Sequence, residues 1–272
     1  MTTELHITEC MTFPRSGHSL LGRLLNDYFG EQRFHYCEMY TEVEKRIGVD
    51  GATNFQKNHD LDLETTIHPD RQYLVQIRYP IESLVSWFKL KQARGEIDNS
   101  ADQWVNFALQ SASFWSRFYR KWVLDPVPRR LILNYTDLIE TPIETLQSVV
   151  RFLGDDECDV VRIEACCANQ RIERKSDYRA FKFYGREFFT LLKGLFAAVP
   201  GVDIENDLLV VPRALVNPDD SQTALQATVC ELKDRGNDLK RLVSRLSDEI
   251  DAQHLGQSLV AHQWACDNPA AE

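Results

Sequence analysis

At 272 residues with 43% hydrophobic side chains, the chain can bury a full core without help from disulfides. Its formal net charge of -10 argues against a nucleic-acid binder, which needs a basic face, although a few local Arg and Lys residues can still hold a small polyanion. The seven cysteines (Cys10, Cys37, Cys158, Cys166, Cys167, Cys230, Cys266) form no Cys-x-x-Cys pair and have no His at ligand spacing, so they read as reduced thiols of a cytoplasmic protein.

In chain order, the N-terminus shows no basic segment followed by an apolar core, and no run of about eighteen apolar residues occurs, so nothing is expected to enter or span a membrane. Leu5 to Phe13 predicts a buried strand that stops at Pro14. Leu20, Leu21, Leu24, Leu25, Tyr28 and Phe29 then fall at intervals of a helix with one apolar stripe. Thr53 to Lys57 and Tyr73 to Arg78 are two further strands, and Pro80 sits at the start of a helix through Ile81, Leu84, Val85 and Phe88. Ala101 to Leu124 predicts one long helix whose Trp104, Phe107, Phe114, Trp115, Phe118 and Trp122 belong to the core. Arg130 to Tyr135 is a strand, Pro142 opens an amphipathic helix that stops at Gly154, and Phe188 to Val199 is helical. Val202 to Asp220 reads as an irregular connection.

This alternation predicts an α/β fold with a central parallel sheet flanked by helices, and the order of strand, tight loop and helix over about the first thirty residues is that of a P-loop-like nucleotide-binding core. The core domain is expected over residues 1–220, followed by a helical or coiled-coil extension over 221–255 and a tail over 256–272. In that extension Leu225, Val229, Leu232, Gly236, Leu239, Val243, Leu246 and Ile250 alternate in steps of four and three. The segment either pairs with a second copy as a homodimer or folds back on its own domain, and Gly236 weakens a paired seam.

The chemistry concentrates in two segments. Pro14-Arg15-Ser16-Gly17-His18-Ser19 joins the first strand to the first helix, where backbone N–H groups can wrap an anion. Arg78, followed by Pro80 and by Ser86 eight positions on, offers a guanidinium and a hydroxyl to a second anionic group. The loop lacks the Gly-x-x-x-x-Gly-Lys-Ser/Thr pattern of ATP- and GTP-hydrolysing proteins, and no strand-borne Asp stands ready for Mg²⁺. His6, His35, His68, His254 and His262 show no metal-ligand spacing.

These segments resemble those of the sulfotransferases that use 3'-phosphoadenosine-5'-phosphosulfate (PAPS). The loop at Arg15, Ser16, Gly17, His18 and Ser19 is similar to the family's 5'-phosphosulfate loop, and Arg78, Pro80 and Ser86 to its 3'-phosphate motif. Lys57-Asn58-His59-Asp60 looks like the Lys-x-His element that supplies the base, Tyr135-Thr136-Asp137-Leu138 like the segment closing a later strand, and Arg174-Lys175-Ser176 like the family's C-terminal contact to the 3'-phosphate. Arg15 stands where many members have Lys, His18 where Thr is common and Leu20 where some have an aromatic.

The resemblance implies PAPS as donor and 3',5'-bisphosphoadenosine (PAP) as product, with no metal. It also implies His59 as base and Lys57 with Arg15 acting on the departing oxygen. The expected acceptor is a small molecule offering a hydroxyl or amine, lined by Phe34 to Tyr40 and by Tyr178 to Phe189, and Glu38 with the overall acidity favours a cationic or polar natural product. A small-metabolite kinase and a non-catalytic platform assembled through the C-terminal helix are the competing readings.

Overall fold

Residues 5–38, 53–172 and 177–211 are described by the computed structural model; the Arg174-Lys175 pair and the whole heptad segment lie outside them. The chain divides into two units, Met1–Asp219 and Asp220–Glu272, and every described residue belongs to the first.

Thr8–Thr12 (β1), Tyr36–Glu38 (β2), Phe55–Asn58 (β3), Gln72–Ile77 (β4) and Arg130–Asn134 (β5) form one sheet in the order β2-β3-β1-β4-β5. Every neighbouring pair is parallel. A parallel sheet needs a crossover between strands and helices on both faces, and the chain supplies them. His18–Phe29 (α1), Pro142–Phe152 (α5) and Val160–Asn169 (α6) cover one face; Pro80–Ala93 (α2), Ala101–Tyr119 (α3) and Arg186–Phe196 (α7) cover the other. The short helix Tyr135–Glu140 (α4) follows β5 directly.

The side chains of β4 divide the core in two. Tyr73, Val75 and Ile77 join Met11, Phe13, Phe88, Trp104, Trp115 and Phe196 on the α3 side. Leu74 joins Cys10, Leu21, Leu25, Leu146 and Ile163 on the α1 side. Period-two alternation of a strand buried on both faces produces this division. The aromatic stripe of α3 lies in the first of these cores, with Trp104, Trp115 and Phe118 of the helix and Trp122 just beyond it all 1% exposed or less.

Four sequence expectations need correction. The long helix stops at Tyr119 and continues as one π-helical turn, Arg120–Leu124, closed by Asp125 N–H on the Arg120 carbonyl at 2.8 Å. Tyr135 opens α4 instead of ending a strand, because the Asn134 side chain accepts from Thr136 N–H and caps a helix there. The supposedly irregular stretch after Pro200 contains a small antiparallel hairpin, Val202–Asp203 (β6) with Leu208–Leu209 (β7). Tyr178, Phe181 and Phe189, expected to line an acceptor, are buried: Tyr178 stacks on Phe189 at 5.7 Å and Phe181 packs edge-on against Trp104 at 4.9 Å. Among the described residues no helix is long and apolar enough to cross a membrane, and the five described cysteines are free thiols.

Candidate functional site

The order of connections reverses at β1, since β3 lies on one side of it and β4 on the other. Such a reversal leaves a crevice at the carboxyl ends of the strands. Four of these ends deliver the residues singled out by sequence: the Phe13–Gly17 loop after β1, His59 after β3, Arg78 after β4 and Tyr135 after β5.

The loop is built on two left-handed residues, Arg15 at φ 69° and Gly17 at φ 90°. Ser16 N–H turns back to the Phe13 carbonyl at 3.2 Å, and the first helical bonds of α1, from Leu20 and Leu21, close on the Gly17 carbonyl. No side chain caps this helix, so its leading N–H groups open onto the crevice. Gly17 is required by space as well as by φ: a Cβ there would stand 2.4 Å from Tyr135 Cδ2. Ser16 Oγ is buried beside it without a hydrogen bond. A buried hydroxyl without a partner under a helix N-terminus fits an anion site whose ligand would supply the missing bond.

The structure joins the two sequence segments. Arg15 Nε donates to Ser86 Oγ at 3.1 Å, and Arg78 Nη1 reaches the Arg15 carbonyl at 3.4 Å. Arg78 also donates through Nε to Glu82 Oε2 at 3.0 Å and lies over the Tyr135 ring, 4.2 Å from its centroid. Burial, followed by the Arg78 and Arg94 guanidinia, pushes the Arg15 pKa below its ordinary value. Arg15 and Arg78, with Glu82 as the carboxylate bonded to Arg78, leave positive charge at the loop that favours an anion.

On the other side of the loop, His59 Nδ1 lies 2.6 Å from the Thr12 carbonyl. A carbonyl can only accept, so Nδ1 carries a proton, and in the neutral ring Nε2 is the basic nitrogen. Lys57 precedes it by two residues on β3.

His18 does not turn its ring to the crevice. Nε2 lies 2.9 Å from the hydroxyl of the partly exposed Tyr36, and Nδ1 lies 3.5 Å from Sγ of Cys10 in the α1-side core. Burial, and then the charges of Lys57 and His59, lower its pKa to about 3. The folded protein therefore holds His18 neutral, whereas the unfolded chain binds a proton below about 6.5. Its contribution to stability is complete above that pH and is lost as pH falls towards about 3. Urea midpoints measured from pH 7.5 down to pH 5 should decline more steeply for the native protein than for His18→Asn, by on the order of 1 kcal/mol over that span. Equal slopes would contradict the buried neutral ring.

Several contributors carried no sequence signal. Glu82 orients Arg78 from one helical turn away. Asp207, on the β6–β7 hairpin, accepts from Tyr79 Oη at 2.9 Å and Tyr178 Oη at 2.7 Å, while Asn134 Nδ2 donates to the Leu209 carbonyl. The hairpin thereby braces the residue after Arg78 and the residue before Tyr135. An aspartate in a polar loop gives no hint of such a partner in sequence. Of the expected acceptor segment, Phe34 is core and Tyr36 serves His18.

Among the described residues no group of three or more His, Cys, Asp or Glu could hold a metal. No protein-family model matches the chain, and no curated protein matches it. Among solved structures it is similar to the "Sulfotransferase Domain from the Synechococcus PCC 7002 Olefin Synthase", at 16% identity, covering 74% of this chain and 98% of that one, with a TM-score of 0.42.

Proposed function

We propose that this protein is a sulfotransferase that moves a sulfuryl group from PAPS to a hydroxyl or amine of a small acceptor. The observation that carries the reading is the convergence of the Gly17 loop with Arg15, Arg78 and Ser86, because a donor charged at two ends needs two linked anion sites. The residues present fit that donor: buried Ser16 Oγ lacks a partner, the space beside Gly17 admits no side chain, and the guanidinia crowd one another.

Ser16, Gly17, His18 and Ser19 would hold the 5' end, the last three chiefly through backbone N–H groups, since the His18 ring is engaged by Tyr36 and Cys10. Arg78 and Ser86 would hold the 3'-phosphate, with Arg15 reaching the same region and Tyr135 forming the wall between the two ends. Arg174 and Lys175 are further candidates for that phosphate. When bound, the donor supplies the sulfuryl group and a bisphosphorylated nucleoside as leaving group.

His59 takes the proton from the acceptor at Nε2, with Nδ1–H fixed on the Thr12 carbonyl. Lys57 and Arg15 place positive charge near the oxygen that accumulates negative charge as the donor bond breaks. Arg15 stays protonated, so any proton given to that oxygen comes from Lys57. The acidic composition makes a cationic or polar acceptor the first class to try.

Titration calorimetry tests the reading. PAP should bind with one-to-one stoichiometry and should not be displaced by ATP with Mg²⁺. Preference for ATP would favour phosphoryl transfer, and binding of neither nucleotide would favour a non-catalytic platform.

A further inference from the structure

Beside His59 lies a fully buried carboxylate that the proposed chemistry does not use. Asp60 Oδ1 accepts from Thr65 N–H at 2.9 Å. Its Oδ2 accepts from Lys121 Nζ at 2.7 Å and from Trp122 Nε1 at 2.8 Å. Lys121 also donates to the carbonyls of Leu63 at 2.9 Å and Thr65 at 2.7 Å, so one ammonium gathers the whole turn after β3. Asn58 closes the turn from its other end, accepting from Asp60 N–H at 2.7 Å and donating to Thr65 Oγ1 at 3.0 Å.

Two features mark this cluster as more than a loop anchor. Asp60 at φ 44° and Leu63 at φ 61° hold left-handed conformations that are unfavourable for side-chain-bearing residues, so the turn keeps its shape because the network imposes it. Both donors to Oδ2 come from the π-helical turn Arg120–Leu124, an irregularity of a kind that recurs at functional sites. His59 sits inside the clamped segment, between Asn58 and Asp60, and is bonded through Nδ1 to the strand on the opposite side.

We propose that Asp60, Lys121 and Trp122 are positioning residues for His59: they hold the turn so that Nδ1–H stays on the Thr12 carbonyl and Nε2 remains the basic nitrogen. The consequence for catalysis rests on the reading of His59 as base, but the tautomer itself does not.

The test uses the full chain with ¹⁵N-labelled histidine. Long-range ¹H–¹⁵N correlations should show His59 as a single Nδ1–H tautomer in the native protein. In Trp122→Phe, which removes one donor and keeps a ring in the core, and in the paired change Asp60→Asn with Lys121→Met, which avoids stranding a buried charge, the two tautomers should mix. The turnover number should fall about tenfold, with PAP affinity and the donor KM unchanged. A merely structural role would lower the melting temperature and leave the tautomer alone, and folded variants with a native His59 signature would overturn the proposal. A mixed tautomer with unchanged turnover would support the clamp while removing His59 from the chemistry.

Discussion

Replacing His59 with alanine should lower sulfuryl transfer by at least about 10²-fold while leaving PAP affinity within about twofold of the native value. The split follows from where the ring stands. His59 contacts the Thr12 carbonyl on the side of the loop away from Arg78 and Ser86, which bind one another's neighbourhood through Arg15. Removing the imidazole takes away the proton acceptor without disturbing those anion contacts. His59→Gln should be equally slow, because an amide can occupy the space but cannot carry the proton. Turnover by His59→Ala at the native rate would remove the residue from the mechanism, and equal losses of PAP affinity and rate would make it a binding residue.

Gly17→Ala should have the largest effect on binding. The residue is at φ 90°, where a Cβ costs about 1–2 kcal/mol, and that atom would meet the Tyr135 ring at 2.4 Å. Relief requires the loop or the ring to move, and the ring also supports Arg78 at 4.2 Å. One methyl group thus disturbs both ends of the proposed donor site. PAP affinity should fall at least about tenfold, and stability should fall by about 1–3 kcal/mol. Gly22→Ala is the control: it lies within α1, has no atom within 4 Å of the added carbon, and should be neutral or slightly stabilising. Native PAP binding by Gly17→Ala would mean that the loop does not hold the nucleotide.

The architecture is readable because local chemistry agrees with the fold at most strand and helix boundaries among the described residues before 155. Apolar strands end shortly before Pro14 and Pro80, α2 begins at Pro80, and Gly17 falls where the chain turns tightly into α1. The three-residue β2 escaped notice because an edge strand with one partner needs no long apolar run. The break in the long aromatic helix escaped because apolar spacing continues unbroken to Trp122 and Val123, while the π turn is set by where Lys121 and Trp122 find their partner.

In the site, the residue types were legible and their pairings were not. Arg15 with Ser86 spans 71 positions and Trp122 with Asp60 spans 62, and no periodicity encodes such separations. His18 illustrates the limit. Its place in the loop points to a phosphate through either ring or backbone N–H, and the buried ring is taken up by the half-exposed Tyr36 and the buried Cys10, which leaves the backbone N–H for an anion.

The most direct test is a crystal structure with PAP soaked in. One phosphate should lie against the N–H groups of Gly17, His18 and Ser19 with Ser16 Oγ finding its partner there, and the other should contact Arg78 and Ser86. Nucleotide density at any other place, or none at these two after soaking to saturation, would contradict the two-ended grip on which the proposed activity stands.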